Sequence, residues 1–172
     1  MALVRVRTAV PESDCTAALR LVTDYRRWPE AADSVRSVVV EEQGDGSSIS
    51  FWEVTFRGGV MKWSERDRID ADANVQTFEL IEGDPHAFSG TWRAAPLDQG
   101  CLLTMDAEFD LGMPSVSHVI DPIAIEALED AIGSVVRGLF GEDVEISFGE
   151  EAAAPARADH APMGTPAAEG GV

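Results

Sequence analysis

The stretch that most constrains this chain is residues 34–109, where strand-like segments follow one another and no helical run intervenes. The segments are 34–42, 48–57, 60–70, 74–82, 88–95 and 101–109. Turn residues separate them: Gly44-Asp45-Gly46, Gly58-Gly59, Asp70-Ala71-Asp72, Gly83-Asp84-Pro85 and Asp98-Gln99-Gly100. Strands joined by links this short pair antiparallel. A further strand is expected at 2–10, where apolar residues alternate until Pro11 breaks the run. Residues 12–24 then predict a helix with Ala18, Leu21 and Val22 on one side, and a short second helix follows Trp28. After the strands comes one long helix. Asp121 reads as its N-cap, Pro122 as its first residue and Gly141 as its stop. Ile125, Leu128, Ile132, Val135, Val136 and Leu139 recur at three and four. The fold class is α+β, with about seven strands and the order β-α-α-β-β-β-β-β-β-α.

An antiparallel sheet this large needs one face covered, and a single amphipathic helix covers only part of it. A strongly curved sheet around that helix leaves a hollow, and hollows of this kind take small ligands.

Charge narrows the partners. The 172 residues carry 31 acidic and 13 basic side chains, a net charge of −18. Phosphate binding needs clustered Lys and Arg, so nucleic acid and anionic membrane surfaces are not expected partners. No apolar run approaches the length of a membrane span, and no secretory leader is apparent. Residues 150–172 are mostly Ala, Pro and Gly and read as a disordered tail to a domain at 1–149. Only Cys15 and Cys101 are present, without metal spacing or a disulfide framework, so a reduced, cytoplasmic chain is expected. His86, His118 and His160 do not cluster along the chain. No phosphate loop, nucleophile elbow or HExxH pattern occurs, and no cofactor or metal is expected. Nothing in the pattern sets the oligomeric state.

The segment 60–70 carries the chemistry. Lys62, Ser64, Arg66 and Arg68 alternate with Met61, Trp63, Glu65, Asp67 and Ile69. The second set holds the apolar residues and should face inward, which takes Glu65 and Asp67 with it. Two carboxylates about 6.5–7 Å apart at Cα and partly desolvated cannot both ionise freely. One could then act as acid and the other as base. Either could equally lie near a strand end, pair with an Arg and do no chemistry. The same alternation turns Trp52 and Val54, Gln76 and Phe78, Phe88, Gly90 and Trp92, and Met105 inward. These side chains are either plain core or the walls of a ligand site, with Gly90 leaving space between its neighbours.

The local text resembles a known superfamily. Thr23-Asp24-Tyr25-Arg26-Arg27-Trp28-Pro29-Glu30, Lys62-Trp63-Ser64-Glu65-Arg66-Asp67, Phe88-Ser89-Gly90-Thr91-Trp92 and Glu108-Phe109-Asp110 are similar to segments of the polyketide cyclase/dehydrase branch of the START/Bet v 1-like superfamily. The resemblance spans about residues 2–141 and implies a helix-grip fold, with the curved sheet around the C-terminal helix and a hydrophobic ligand between them. It implies a polyketide chain as substrate, presented by an acyl carrier protein, and cofactor-free ring closure or dehydration. It also places Trp28 and Val35 at the site. Where the aromatase pattern has Tyr, Ser and Arg, this chain has Val35, Glu65 and Asp67, which implies a changed substrate or reaction in the same cavity. The resemblance equally admits a non-catalytic carrier or sensor of a lipid, quinone or polyketide. Carrier proteins are themselves acidic, so docking one would need a local basic patch such as Arg5, Arg7, Arg26 and Arg27.

Overall fold

The computed structural model describes residues 1–153. Eight strands form one antiparallel sheet in the order β2-β3-β4-β5-β6-β7-β1-β8. They are β1 (Ala2–Val10), β2 (Val35–Glu42), β3 (Ser48–Phe56), β4 (Gly59–Asp70), β5 (Val75–Gly83), β6 (Ala87–Pro96), β7 (Cys101–Asp110) and β8 (Ile146–Phe148). The six meander strands pair in chain order because each link is a tight turn. β1 then closes against β7 along its whole length, from Ala2 opposite Phe109 to Val10 opposite Cys101.

The helices are α1 (Cys15–Val22), α2 (Trp28–Ala31), α3 (Ser117–Phe140) and α4 (Gly149–Ala153), with a single 3-10 turn at Tyr25–Arg27. Asp14 caps α1 by accepting from the Ala17 amide at 3.1 Å. That helix buries Cys15, Ala18, Leu19 and Val22. The architecture is the helix-grip type of α+β fold, with α3 laid across the sheet. One glycine lets α3 pack closely on α2: a Cβ on Gly138 would stand 3.3 Å from the Ala31 Cβ.

Four expectations change. α3 begins at Ser117, so Asp121 is not its cap. It lies inside the helix, buried, 3.9 Å from the Met1 amino group, and Pro122 is internal. The cap-and-proline pattern is a genuine start signal, but the preceding turn holds itself through Val116, whose carbonyl accepts from Val119 and Ile120. Second, Ile69 does not continue the inward face of β4; it is 41% exposed, because the strand runs out past the core there. Third, an eighth strand and α4 follow α3. α4 takes up the first residues of the expected tail, and the rest of that tail lies outside the described residues. Fourth, Cys15 and Cys101 form a disulfide, 86 residues apart in sequence with Cα atoms 5.6 Å apart, where free thiols were expected. Sequence spacing cannot reveal that contact, since it arises only when α1 folds over the β7 end of the sheet. Among the described residues no helix is long and apolar enough to cross a membrane.

Candidate functional site

Between α3 and the sheet lies an apolar cavity of about 70 Å³. Aromatic rings from seven elements wall it. Trp52 and Trp63 stack across β3 and β4, with centroids 5.5 Å apart and planes 4° from parallel. Trp28 meets Trp52 edge-on at 5.3 Å, and Phe88 meets Trp63, Phe78 and Phe109 in the same way. Such edge-to-face contacts hold rings in fixed orientations. The opposite wall is α3, which offers Ala124, Ala127, Leu128, Ala131 and Ile132. Small residues there are what leave the space open.

Trp28, Val35, Trp52, Val54, Trp63, Glu65, Phe78, Phe88, Trp92 and Met105 line this cavity. Three of the sequence-predicted residues do not. Gly90 is filled over rather than open: a Cβ there would stand 2.6 Å from the Phe78 ring and 2.7 Å from the Ala107 Cβ. Its missing side chain seats Phe78 and leaves no room for a ligand. Gln76 and Asp67 instead lie together in a surface cleft beside Tyr25, Ser48 and Arg68. Tyr25 reaches both the cavity and the cleft.

Glu65 and Asp67 share one face of β4 and are 2% and 5% exposed. Each has a hydrogen-bonded setting. The Trp63 indole N–H donates to Glu65 Oε2 at 3.0 Å. The Ser50 hydroxyl, directly across from Glu65 in the β3–β4 register, sits 2.7 Å from Asp67 Oδ2 and 3.4 Å from Glu65 Oε1. Ser50 in turn accepts the Trp52 indole N–H at 2.9 Å. Gln76 donates to Asp67 Oδ1 at 3.5 Å, and the Tyr25 hydroxyl donates to the Gln76 carbonyl at 3.1 Å. The Ser50 hydroxyl thus stands between the two carboxyls. No buried side-chain polar atom is left without a partner among the described residues.

Burial sets the protonation. It is the largest cause holding Glu65 well above the usual carboxylate range, and the Asp67 charge pushes in the same direction. Burial also raises Asp67, to about 6, while hydrogen bonds from Ser50, Glu65 and Gln76 oppose the rise. Tyr25 is lifted well above its usual value by burial, then by the charges of Glu65 and Asp67. Burial and the neighbouring carboxyl thus both favour the protonated form of Glu65. A neutral carboxylic acid facing an apolar cavity can donate a hydrogen bond or a proton into it.

The sequence reading does not name Ser50 as a site residue and names Tyr25 only within the Thr23–Glu30 segment. Ser50 could have been found, since it alternates with Trp52 and Val54 on the inward face of its strand. Of the basic quartet, Arg5 lies 3.3 Å from Asp106, Arg26 3.7 Å from Glu42 and Arg27 3.1 Å from Asp24. These three charges are thus already beside acids.

A family model described as polyketide cyclase / dehydrase and lipid transport matches residues 16–136. No curated protein sequence matches the chain. Solved structures resemble it at low identity. A Thermus thermophilus protein is 21% identical with a TM-score of 0.71, covering 80% of this chain and 94% of its own. A START superfamily protein from Mycobacterium smegmatis is 17% identical with a TM-score of 0.67, covering 80% and 96%. The Zhui aromatase/cyclase from a Streptomyces species is 18% identical with a TM-score of 0.58, covering 79% and 94%. At these identities the structural likeness speaks to fold alone.

Proposed function

Because the chain belongs to the polyketide cyclase / dehydrase and lipid transport family, we propose that it is a cofactor-independent cyclase or dehydratase acting on a hydrophobic ketide in the cavity, with Glu65 as its acid–base group. The observation that carries this reading is the buried Glu65 carboxyl, facing the apolar cavity and held by Trp63 and Ser50 beside a second carboxyl. In a dehydration, protonated Glu65 gives its proton to the departing hydroxyl, which leaves as water. The Glu65 carboxylate then takes the α-proton as the carbon–carbon double bond forms, and the acid is restored. In ring closure the ketide reacts as its enol: the enol carbon attacks the accepting carbonyl while Glu65 protonates that carbonyl oxygen, and the Glu65 carboxylate then takes the enol O–H proton, which restores the acid. Acid–base help of this kind is worth about 10²–10⁴-fold. The ring walls contribute by holding the reacting carbons together.

Substrate size follows from the space. A cavity of about 70 Å³ holds only a short ketide segment, so a longer chain has to displace rings or α3. Delivery by an acyl carrier protein remains part of the proposal. With Arg5, Arg26 and Arg27 each beside an acid, that quartet gives it a poor docking patch.

The test is conversion of a short β-hydroxyketone and of a β-diketone thioester, followed by chromatography, in wild type and Glu65→Gln. Turnover by wild type and a loss of about 10²-fold or more in the variant is the expected result. Equal rates would remove the acid–base role. A carrier or sensor is the second reading, favoured by a lining whose polar groups are few. Native mass spectrometry separates it, since a carrier should emerge from purification with a stoichiometric hydrophobic guest and turn nothing over.

A further inference from the structure

The two carboxyls open on different sides of the wall. Glu65 lines the cavity and not the cleft; Asp67 lines the cleft and not the cavity. They are two residues apart on one face of β4, and the Ser50 hydroxyl lies between them, 2.7 Å from Asp67 and 3.4 Å from Glu65. The cavity side offers Glu65 mostly apolar neighbours, the Trp63 indole and the hydroxyl-bearing Tyr25 and Thr55, with no second carboxyl and no amine or guanidinium. The cleft side holds Arg20, Asp24, Arg26, Glu42 and Arg68 around Asp67, together with Gln76 and Tyr25.

We propose that Asp67 is the solvent-side station of a proton conduit through the sheet, which resets Glu65 from the surface cleft while the cavity is occupied. The inference rests on the reading of Glu65 as the proton-bearing group of the cavity. After Glu65 releases its proton, Asp67 takes one from water in the cleft. Asp67 then passes it to the Ser50 hydroxyl oxygen as Ser50 passes its own proton to the Glu65 carboxylate, and the reverse sequence unloads Glu65. Ser50 holds both carboxyl oxygens in line and neither gains nor loses a proton overall. A completed turnover returns the proton to Glu65; the conduit serves a Glu65 that has given up or gained a proton without completing it, which a ligand filling the apolar side would otherwise trap. The value of about 6 for Asp67 suits this part, since a group near neutrality both gives and takes protons readily. Asp67 is thus a positioning and relay residue, because it does not touch the cavity.

The experiment needs no substrate. Protonated carboxyls give an infrared carbonyl band that shifts on deuteration, and Glu65→Gln assigns the band. Wild type, Asp67→Asn and Asp67→Glu are diluted rapidly into D2O at neutral pH and the band is followed in time. The conduit requires fast exchange in wild type, exchange slower by about tenfold or more in Asp67→Asn, and recovery in Asp67→Glu. If Asp67→Asn does not fold, Asp67→Leu, of similar size and without a proton carrier, must show the same slowing. Equal exchange rates in wild type and the carrier-free variant would overturn the conduit and leave Glu65 as the acid. A wild type with no band assignable to Glu65 would instead overturn the acid itself, and with it the proposed function.

Discussion

Asp67 should make this fold less stable as pH rises, in a window that its setting defines. Its native pKa is raised from 3.8 to about 6 because burial penalises the charged form. Below pH 3.8 the carboxyl is protonated in both folded and unfolded chains. Between 3.8 and about 6 the native state keeps a proton that the unfolded chain has lost, so stability falls as pH rises. Above about 6 the loss is complete and amounts to about 3 kcal/mol. Roughly half of it, about 1–2 kcal/mol, is lost between about pH 5 and pH 7.5. For a domain of this length that corresponds to roughly 3–6 °C in melting temperature. Asp67→Asn removes the titration while keeping the shape. The assay is scanning calorimetry of both proteins at the two pH values, read as the variant's melting temperature minus that of wild type. Taking the difference cancels the self-repulsion of a chain at −18, which both proteins share apart from the mutated side chain. Asn brings its own offset, but that offset does not vary with pH. The difference should grow by roughly 3–6 °C from the lower pH to the higher. A difference that stays flat, or shrinks, would refute the claim that Asp67 is buried at the expense of its charge.

The same network and its surroundings give three further expectations. In Asp67→Asn the Glu65 pKa, followed by carboxyl carbon NMR, should fall because a neighbouring charge is gone. It should stay above the ordinary range because burial is the larger cause. Gly90→Ala drives a methyl into Phe78 and Ala107 and should destabilise by about 1–3 kcal/mol in urea unfolding. Thiol titration of the unfolded, unreduced protein should find neither Cys15 nor Cys101 free. Cys15→Ser should then lose up to about 4–5 kcal/mol, the chain-entropy worth of closing so long a loop.

What could be read from the sequence was what periodicity and turn chemistry encode locally. Period-two alternation places Trp63, Glu65 and Asp67 on one face, and the β3–β4 register keeps them there. Glycine-marked turns give the meander its order. The disulfide escaped because two cysteines 86 residues apart become neighbours only through packing. The start of α3 escaped because Asp121-Pro122 carries a start signal that the preceding turn overrides. Alternation also failed to say how deep each inward residue sits. Glu65 and Asp67 point the same way, yet one meets the cavity and the other a surface cleft. Gly90 shows the same limit, since its empty side is occupied by Phe78, a neighbour no local pattern could name.

The energetics of the pair bear on the choice between catalyst and carrier. A carrier needs a hydrogen-bond donor for its guest, and Ser, Gln or an indole supplies one without titrating. This chain already has those groups at the spot in Ser50, Gln76 and Trp63. It nonetheless keeps two carboxyls there, one of which costs the fold about 3 kcal/mol at neutral pH. That is a sizeable share of the 5–15 kcal/mol typical of a domain. Every polar atom around them is matched, so the cost lies in the charge itself and in no missing partner. Ionisable groups kept at such expense are commonest where a proton has to move. A Glu65→Gln, Asp67→Asn double variant that bound the same hydrophobic guest, gained stability at neutral pH and lost all turnover would fit that account. One that kept its turnover would return the pair to the role of structural hydrogen-bonding groups.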